Sequence, residues 1–221
     1  MNVHQSSARK EFPVTIETPR LILRELELSD FQRLLDMTTK PGFRYYCFDG
    51  SPEKVTDFLQ AAFKKRAPAQ DGKREEFLLG VVRKDTGELI GHVALHRAAY
   101  VEGYDFETGY FIDPDHQNKG YGREALINMR KFGYEELGLP GYTSTIHPDN
   151  KPSLYVALSE GYKKIGDTTL KTVFGPEPRV LLKQDKKEFY ARRLLDKRPL
   201  LLNGGIKPPL SAPTSCESDS H

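Results

Sequence analysis

The chain has 221 residues, enough for one sizeable domain or two small ones. Its 33 lysines and arginines nearly balance 31 aspartates and glutamates, a formal net charge of +2, so nothing global draws it toward nucleic acid or a membrane surface. Apolar runs such as FLLGVV (Phe77 to Val82) fall far short of the ~20 residues of a membrane span, which excludes a helical membrane protein.

The opening MNVHQSSARKEFPV has no apolar core and does not read as a secretory signal. PRLILREL then alternates apolar and charged residues like a half-buried strand. LSDFQRLLDMTT follows, with Ser29 and Asp30 as N-cap chemistry and Phe31, Leu34 and Leu35 on one helical face. SPEKVTDFLQAAFKKRA repeats that pattern with Ser51 as cap and Pro52 in the first turn. Three strands come next: EEFLLGVVRK, TGELIGHVALHRA and YDFETGYFID, the first two joined by a turn at Asp85-Thr86-Gly87. A helix from Gly120 to Leu137 ends at Gly138 and Pro140. GYTSTIH reads as a strand, and DNKPSLYVALSE as a helix capped by Asp149 or Asn150 and stopped by Gly161. YKKIGDTTL and RVLLKQD close as strands, with LKTVFGPEPR expected as the loop between them.

This order predicts an α+β domain with a mixed, mostly antiparallel central sheet of about seven strands. The expected boundaries are a lead over 1–17, the domain over 18–184, a charged helix over 185–198 and a flexible tail over 199–221. The two cysteines, Cys47 and Cys216, suggest no disulfide, and a cytoplasmic protein is expected.

The stretch DPDHQNKGYGREAL places Gly120 and Gly122 between a strand and a helix. One reading is a tight turn and no more. A second is a dinucleotide fingerprint, since GYGREA fits G-x-G-x-x-A, but seven residues separate it from its strand. The acidic residue expected about 20 positions on is also lacking, because position 140 is proline. The third reading takes the whole stretch: backbone N–H groups of Lys119 to Arg123 at a helix N-terminus make an anion site.

Gln117-x-x-Gly120-x-Gly122 resembles the Q/R-x-x-G-x-G/A loop of the GNAT N-acetyltransferase superfamily. TPRLILRELELSDF, GELIGHVALH, FETGYFIDPDHQNKGYGREAL and HPDNKPSLYVALSEGYKKIGD resemble, in order, four segments of its Rim-type branch, which includes ribosomal-protein N-terminal acetyltransferases. The resemblance runs from about Thr18 to Leu182.

It implies that the fourth and fifth of the seven expected strands splay apart. Acetyl-coenzyme A would lie in the gap, its diphosphate on Gln117, Asn118, Lys119, Gly120, Tyr121, Gly122 and Arg123. Its pantetheine would lie along Tyr110, Phe111, Ile112 and Asp113, with Asn150 and Ser153 beside it. Lys119 or Arg123 would add charge, and an N–H near Ile112 would polarise the thioester carbonyl. Glu107 is the candidate base for the amine and Ser153 the candidate acid at the sulfur. The tyrosine that many members carry seven residues after the asparagine is Ala157 here. Glu124 fits a helix-dipole role, and Tyr162 replaces the usual phenylalanine.

No metal is expected: His92 and His96, four apart on a strand, lie about 13 Å from each other along it. The acceptor is expected to be an amine, on a small molecule or a protein N-terminus, with no nucleic-acid or membrane partner. Its pocket would draw on KPGFRYYCFDGSPE (Phe43, Arg44, Tyr45, Tyr46, Phe48, Asp49) and on Phe174, Glu177 and Arg179. The alternative is an acyl-coenzyme A sensor without catalysis. Monomer and homodimer both remain open.

Overall fold

The computed structural model describes residues 13–40, 43, 50–66 and 74–195. Eight strands form one sheet: β1 (Thr15–Glu17), β2 (Leu21–Glu25), β3 (Glu76–Arg83), β4 (Leu89–Val101), β5 (Tyr104–Ile112), β6 (Gly141–Ile146), β7 (Lys163–Thr172) and β8 (Gly175–Asp185). Their order is β1-β2-β3-β4-β5-β6-β8-β7, antiparallel throughout except where β5 meets β6. Five α-helices complete the fold: α1 (Phe31–Thr38), α2 (Pro52–Arg66), α3 (Tyr121–Glu135), α4 (Lys151–Ser159) and α5 (Lys186–Leu195).

The α+β expectation holds, with one strand more than the seven expected. The extra strand is β1, inside the expected lead and paired with β2 at the sheet edge. Three residues are too few to show an alternating pattern in sequence. The last connection also differs from expectation. LKTVFGPEPR is not an open loop: strands β7 and β8 continue to a closing Thr172↔Gly175 pair, leaving Val173 and Phe174 as an exposed two-residue tip. Gly175 takes a φ of +105°, which a side chain there would disfavour.

Side chains alternate across the sheet and make two cores. Leu21, Leu23, Leu79, Val93, Leu95 and Ile112 pack with α3, α4 and α5 on one face. Leu78, Val82, Leu89 and Phe111 pack with α1 and α2 on the other. Helix α1 is not capped as expected. The Asp30 carboxylate instead takes two hydrogen bonds from Arg24, at 2.8 and 2.9 Å, and one from the Glu27 N–H at 2.7 Å, fixing a 3-10 turn ahead of the helix. Ser51 and Asn150 act as expected: Ser51 Oγ accepts from the Lys54 N–H, and Asn150 Oδ1 from the Ser153 N–H at 3.2 Å.

Candidate active site

Strands β5 and β6 run parallel but pair only at Glu107↔Thr143, so they part beyond that level as expected. The Asp113 N–H donates to the Ile90 carbonyl on β4 at 2.7 Å. Because N–H groups alternate along a strand, those of Tyr110 and Ile112 then turn toward the opening. A cavity of about 460 Å³ passes through it, lined on one face by Tyr110, Leu126, Ser153 and Ala157 and on the other by Phe58, Glu76, His96 and Glu107.

Glu107 sits at the edge of this opening and is only 7% exposed. Its Oε1 accepts from the Thr145 N–H at 2.5 Å and the Thr145 hydroxyl at 2.7 Å. Two donors on one oxygen fix the carboxylate and leave Oε2 as the atom with room to accept a proton. Ser153 stands in the first turn of α4, 8% exposed, on the other side of the gap. Its backbone is held by the Asn150 cap, so hydroxyl and cap move as one unit. Tyr162 has a use for the oxygen that phenylalanine lacks: its buried hydroxyl lies 2.9 Å from Thr108 Oγ1. Burial pushes the Tyr162 pKa up, so the hydroxyl stays neutral.

The turn before α3 is held from several directions. Asn118 has a φ of +59°, and Gly120, the N-cap of α3, one of +78°. Gln117 Nε2 donates to the Ile112 carbonyl at 2.9 Å, clamping the turn onto the end of β5. The N–H groups of Tyr121 and Gly122 lie in the first turn, where no helical carbonyl precedes them. That geometry suits an anion.

The expected turn charge, and the backbone groups expected to be free at Phe111 and Asp113, come out differently. The Arg123 guanidinium does not reach the turn; it is buried and pairs with Glu160 at 2.5 Å. Arg20 lies nearer: it donates to the Lys119 carbonyl at 2.8 Å and lies 4.5 Å over the Tyr121 ring, its Nε held by Glu124. Arg83 is 5.9 Å from the same ring. Lys119 itself donates to the Asp115 carbonyl. Asp113 has its N–H on Ile90, its carbonyl on the His116 N–H, and its buried carboxylate on Arg33 and Lys40. Burial alone would raise that carboxyl's pKa, but the Lys40 and Asp115 N–H hydrogen bonds and the Arg33 charge hold it below the usual range. Phe111 turns its ring into the α1/α2 core, 5.3 Å from Phe43, and its backbone groups face β4, so it offers the gap neither.

Glu124 is fully buried and does more than meet a helix dipole: it accepts from the Thr18 hydroxyl at 2.6 Å, the Arg20 N–H at 2.8 Å and Arg20 Nε at 2.6 Å. It ties the head of α3 to the corner that starts β2.

On the acceptor side, Arg44, Tyr45, Tyr46, Cys47, Phe48 and Asp49 lie outside the described residues. Phe174 is exposed at the hairpin tip and does not line the cavity. Arg179 does line it, held by Glu177 at 2.7 Å. The sequence reading missed Glu76 and His96, which lie beside Glu107 in cross-strand register. Their signal is that register, which no single segment displays. Among the described residues no cluster of three or more His, Cys, Asp or Glu could hold a metal ion, and no helix is long and apolar enough to cross a membrane.

Comparison with known proteins covers the same span. Residues 20–163 match the model of the acetyltransferase (GNAT) domain. The uncharacterised N-acetyltransferase YnaD of Bacillus subtilis is 30% identical over 152 residues, which cover 68% of this chain and 84% of that protein. The structure of a GNAT-family acetyltransferase from Bacillus anthracis superposes with a TM-score of 0.64 at 22% identity, covering 79% of this chain and all of that one. Mycobacterium smegmatis RimJ, solved with CoA-disulfide, gives 0.65 at 17% identity, covering 83% and 95%. At those identities the two structures show the fold.

Proposed function

From the premise that this chain belongs to the GNAT acetyltransferase family, we propose that it moves an acetyl group from acetyl-coenzyme A directly to a primary amine, on a small molecule or a protein N-terminus. The observation that carries this reading is the through-sheet cavity with Glu107 on one wall and Ser153 on the other. The residues present fit the cosubstrate: an N-terminal helical turn opened by Gly120 and Gly122 suits a diphosphate, and the N–H groups of Tyr110 and Ile112 face the gap a pantetheine would fill.

The amine enters from the α1/α2 face. Glu107 Oε2 takes its proton, because an ammonium has no lone pair for attack. The Ile112 N–H stabilises the carbonyl oxygen as it becomes negative. Ser153 donates a hydrogen bond to the departing sulfur; with a thiol pKa near 8.5 the thiolate is a fair leaving group and needs little more. The action is cytoplasmic, on this reading, and requires neither nucleic acid nor a membrane.

The test is calorimetry with acetyl-coenzyme A, coenzyme A and NAD on the wild type and Gly122→Asp, followed by an amine screen. Micromolar coenzyme A binding, abolished by the substitution, and turnover of at least one amine are expected. Coenzyme A binding without any turnover would favour a sensor, and a folded wild type that binds NAD alone would overturn the reading.

A further inference from the structure

A row of three ionisable side chains crosses the acceptor face of the sheet. Glu76 on β3, His96 on β4 and Glu107 on β5 are direct cross-strand partners, and all three line the cavity. His96 Nε2 stands 3.5 Å from Glu107 Oε2, the carboxylate oxygen that Thr145 leaves open. The His96 side chain is 39% exposed and that of Glu107 only 9%, so the ring joins a buried oxygen to solvent.

We infer that His96 is a positioning residue that acts through the base: it carries the proton that Glu107 Oε2 takes from the amine out to water. This rests on the acyl-transfer reading above. The steps balance. An N–H bond of the ammonium breaks as the proton bonds to Oε2, which frees the nitrogen lone pair. That O–H then breaks as the proton bonds to Nε2, which is bare in the tautomer that carries Nδ1–H; the imidazolium then gives a proton to water, and exchange at its exposed edge restores that tautomer. Glu107 returns to its anionic form.

The neighbours suit this role. Glu76 faces His96 from β3 and accepts a hydrogen bond from Lys65 of α2. Lys65, Tyr100, Thr145, His147 and Arg179 also line the cavity; Thr145 is engaged with Glu107 Oε1, and Arg179 is held by Glu177. His92 makes the contrast: it shares the face but lies against Phe58, with ring centroids 5.2 Å apart, and burial pushes its pKa down to about 4. A histidine kept neutral and away from water cannot relay protons at neutral pH.

Two variants test it, with folding checked by coenzyme A binding. His96→Gln keeps a polar side chain beside Glu107 but cannot carry a proton; kcat is expected to fall about tenfold or more with both KM values within twofold. His96→Ala leaves space for a ring, so added imidazole at constant pH should restore kcat in a saturable way. A kcat within twofold of wild type in His96→Gln, a loss confined to KM, or no response to imidazole would each overturn the relay. A third measurement is independent of turnover: the ring nitrogen resonances of His96 should move between wild type and Glu107→Gln. Unmoved resonances overturn the pairing. Resonances that move in a protein that acetylates no amine sink the acyl-transfer reading while the pairing stands.

Discussion

The face of the sheet under α3, α4 and α5 buries Leu21, Leu23, Leu79 and Val93 and confines its charges to closed groups, whereas the face under α1 and α2 carries Glu76, His96 and Glu107 along a cavity wall. On the first face Glu160 is fully buried among Arg123, Arg130 and Arg193, which come from α3 and α5. On the second, the polar row meets water. The first arrangement fixes a helix head to within a hydrogen bond, as an anion site needs. The second gives up apolar contact for groups that can exchange protons.

The largest effect should come from emptying the buried ionic group. Glu160→Ala leaves three buried guanidiniums without their carboxylate and is expected to lower stability by about 3–5 kcal/mol in urea unfolding. A loss below about 1 kcal/mol would mean that apolar packing alone holds that face.

Acid should find the other face first. The His92 pKa falls from 6.5 unfolded to about 4 folded. Below pH 6.5 the unfolded chain binds a proton that the folded one refuses, so stability drops as pH falls toward 4, by roughly 3 kcal/mol in all. Burial raises the Glu160 pKa, but the charges of Arg193, Arg123 and Arg130 outweigh it and keep it low. Its contribution, present above the ordinary carboxylate range, is lost only as pH falls through that lowered value. Hydrogen exchange at pH 5 should therefore show α2 and β4 opening before α3, and His92→Phe should flatten the slope. Equal opening of both faces would remove the distinction.

Glu107→Gln should reduce kcat by at least about 10²-fold, roughly 2.7 kcal/mol, with coenzyme A affinity within twofold. A parallel loss of affinity would show that the two faces are not separable. Smallest is the cap: Asn150→Ala should destabilise by about 1 kcal/mol and lower kcat a few-fold through Ser153.

The two faces also differ in how far the sequence discloses them. The turn before α3 is legible because Gln117, Gly120 and Gly122 are neighbours, and Asn150 because a cap acts three residues away. Arg123, like Lys119, reads as a possible turn charge because its partner Glu160 stands far along the chain, beyond α3 and β6. Asp30 likewise looks like a cap until Arg24 of β2 is seen to claim it. The row from Glu76 to Glu107 was invisible because it exists only in the register of three strands, and a shift of one residue in any of them would turn its side chain to the other face.

The tie between Thr18 and Glu124 has a consequence for how the chain is made. The two residues are 106 positions apart. Arg33 and Lys40 wait similarly for Asp113, 80 and 73 positions on. At about 5–20 residues per second of synthesis, the glutamate emerges roughly 5 to 20 s after the threonine it will hold. During that interval β1, β2 and α1 have their local turns but none of these long-range anchors. A nascent chain halted before Glu124 should therefore be cut readily by protease near Thr18, and one halted after α3 has emerged should resist.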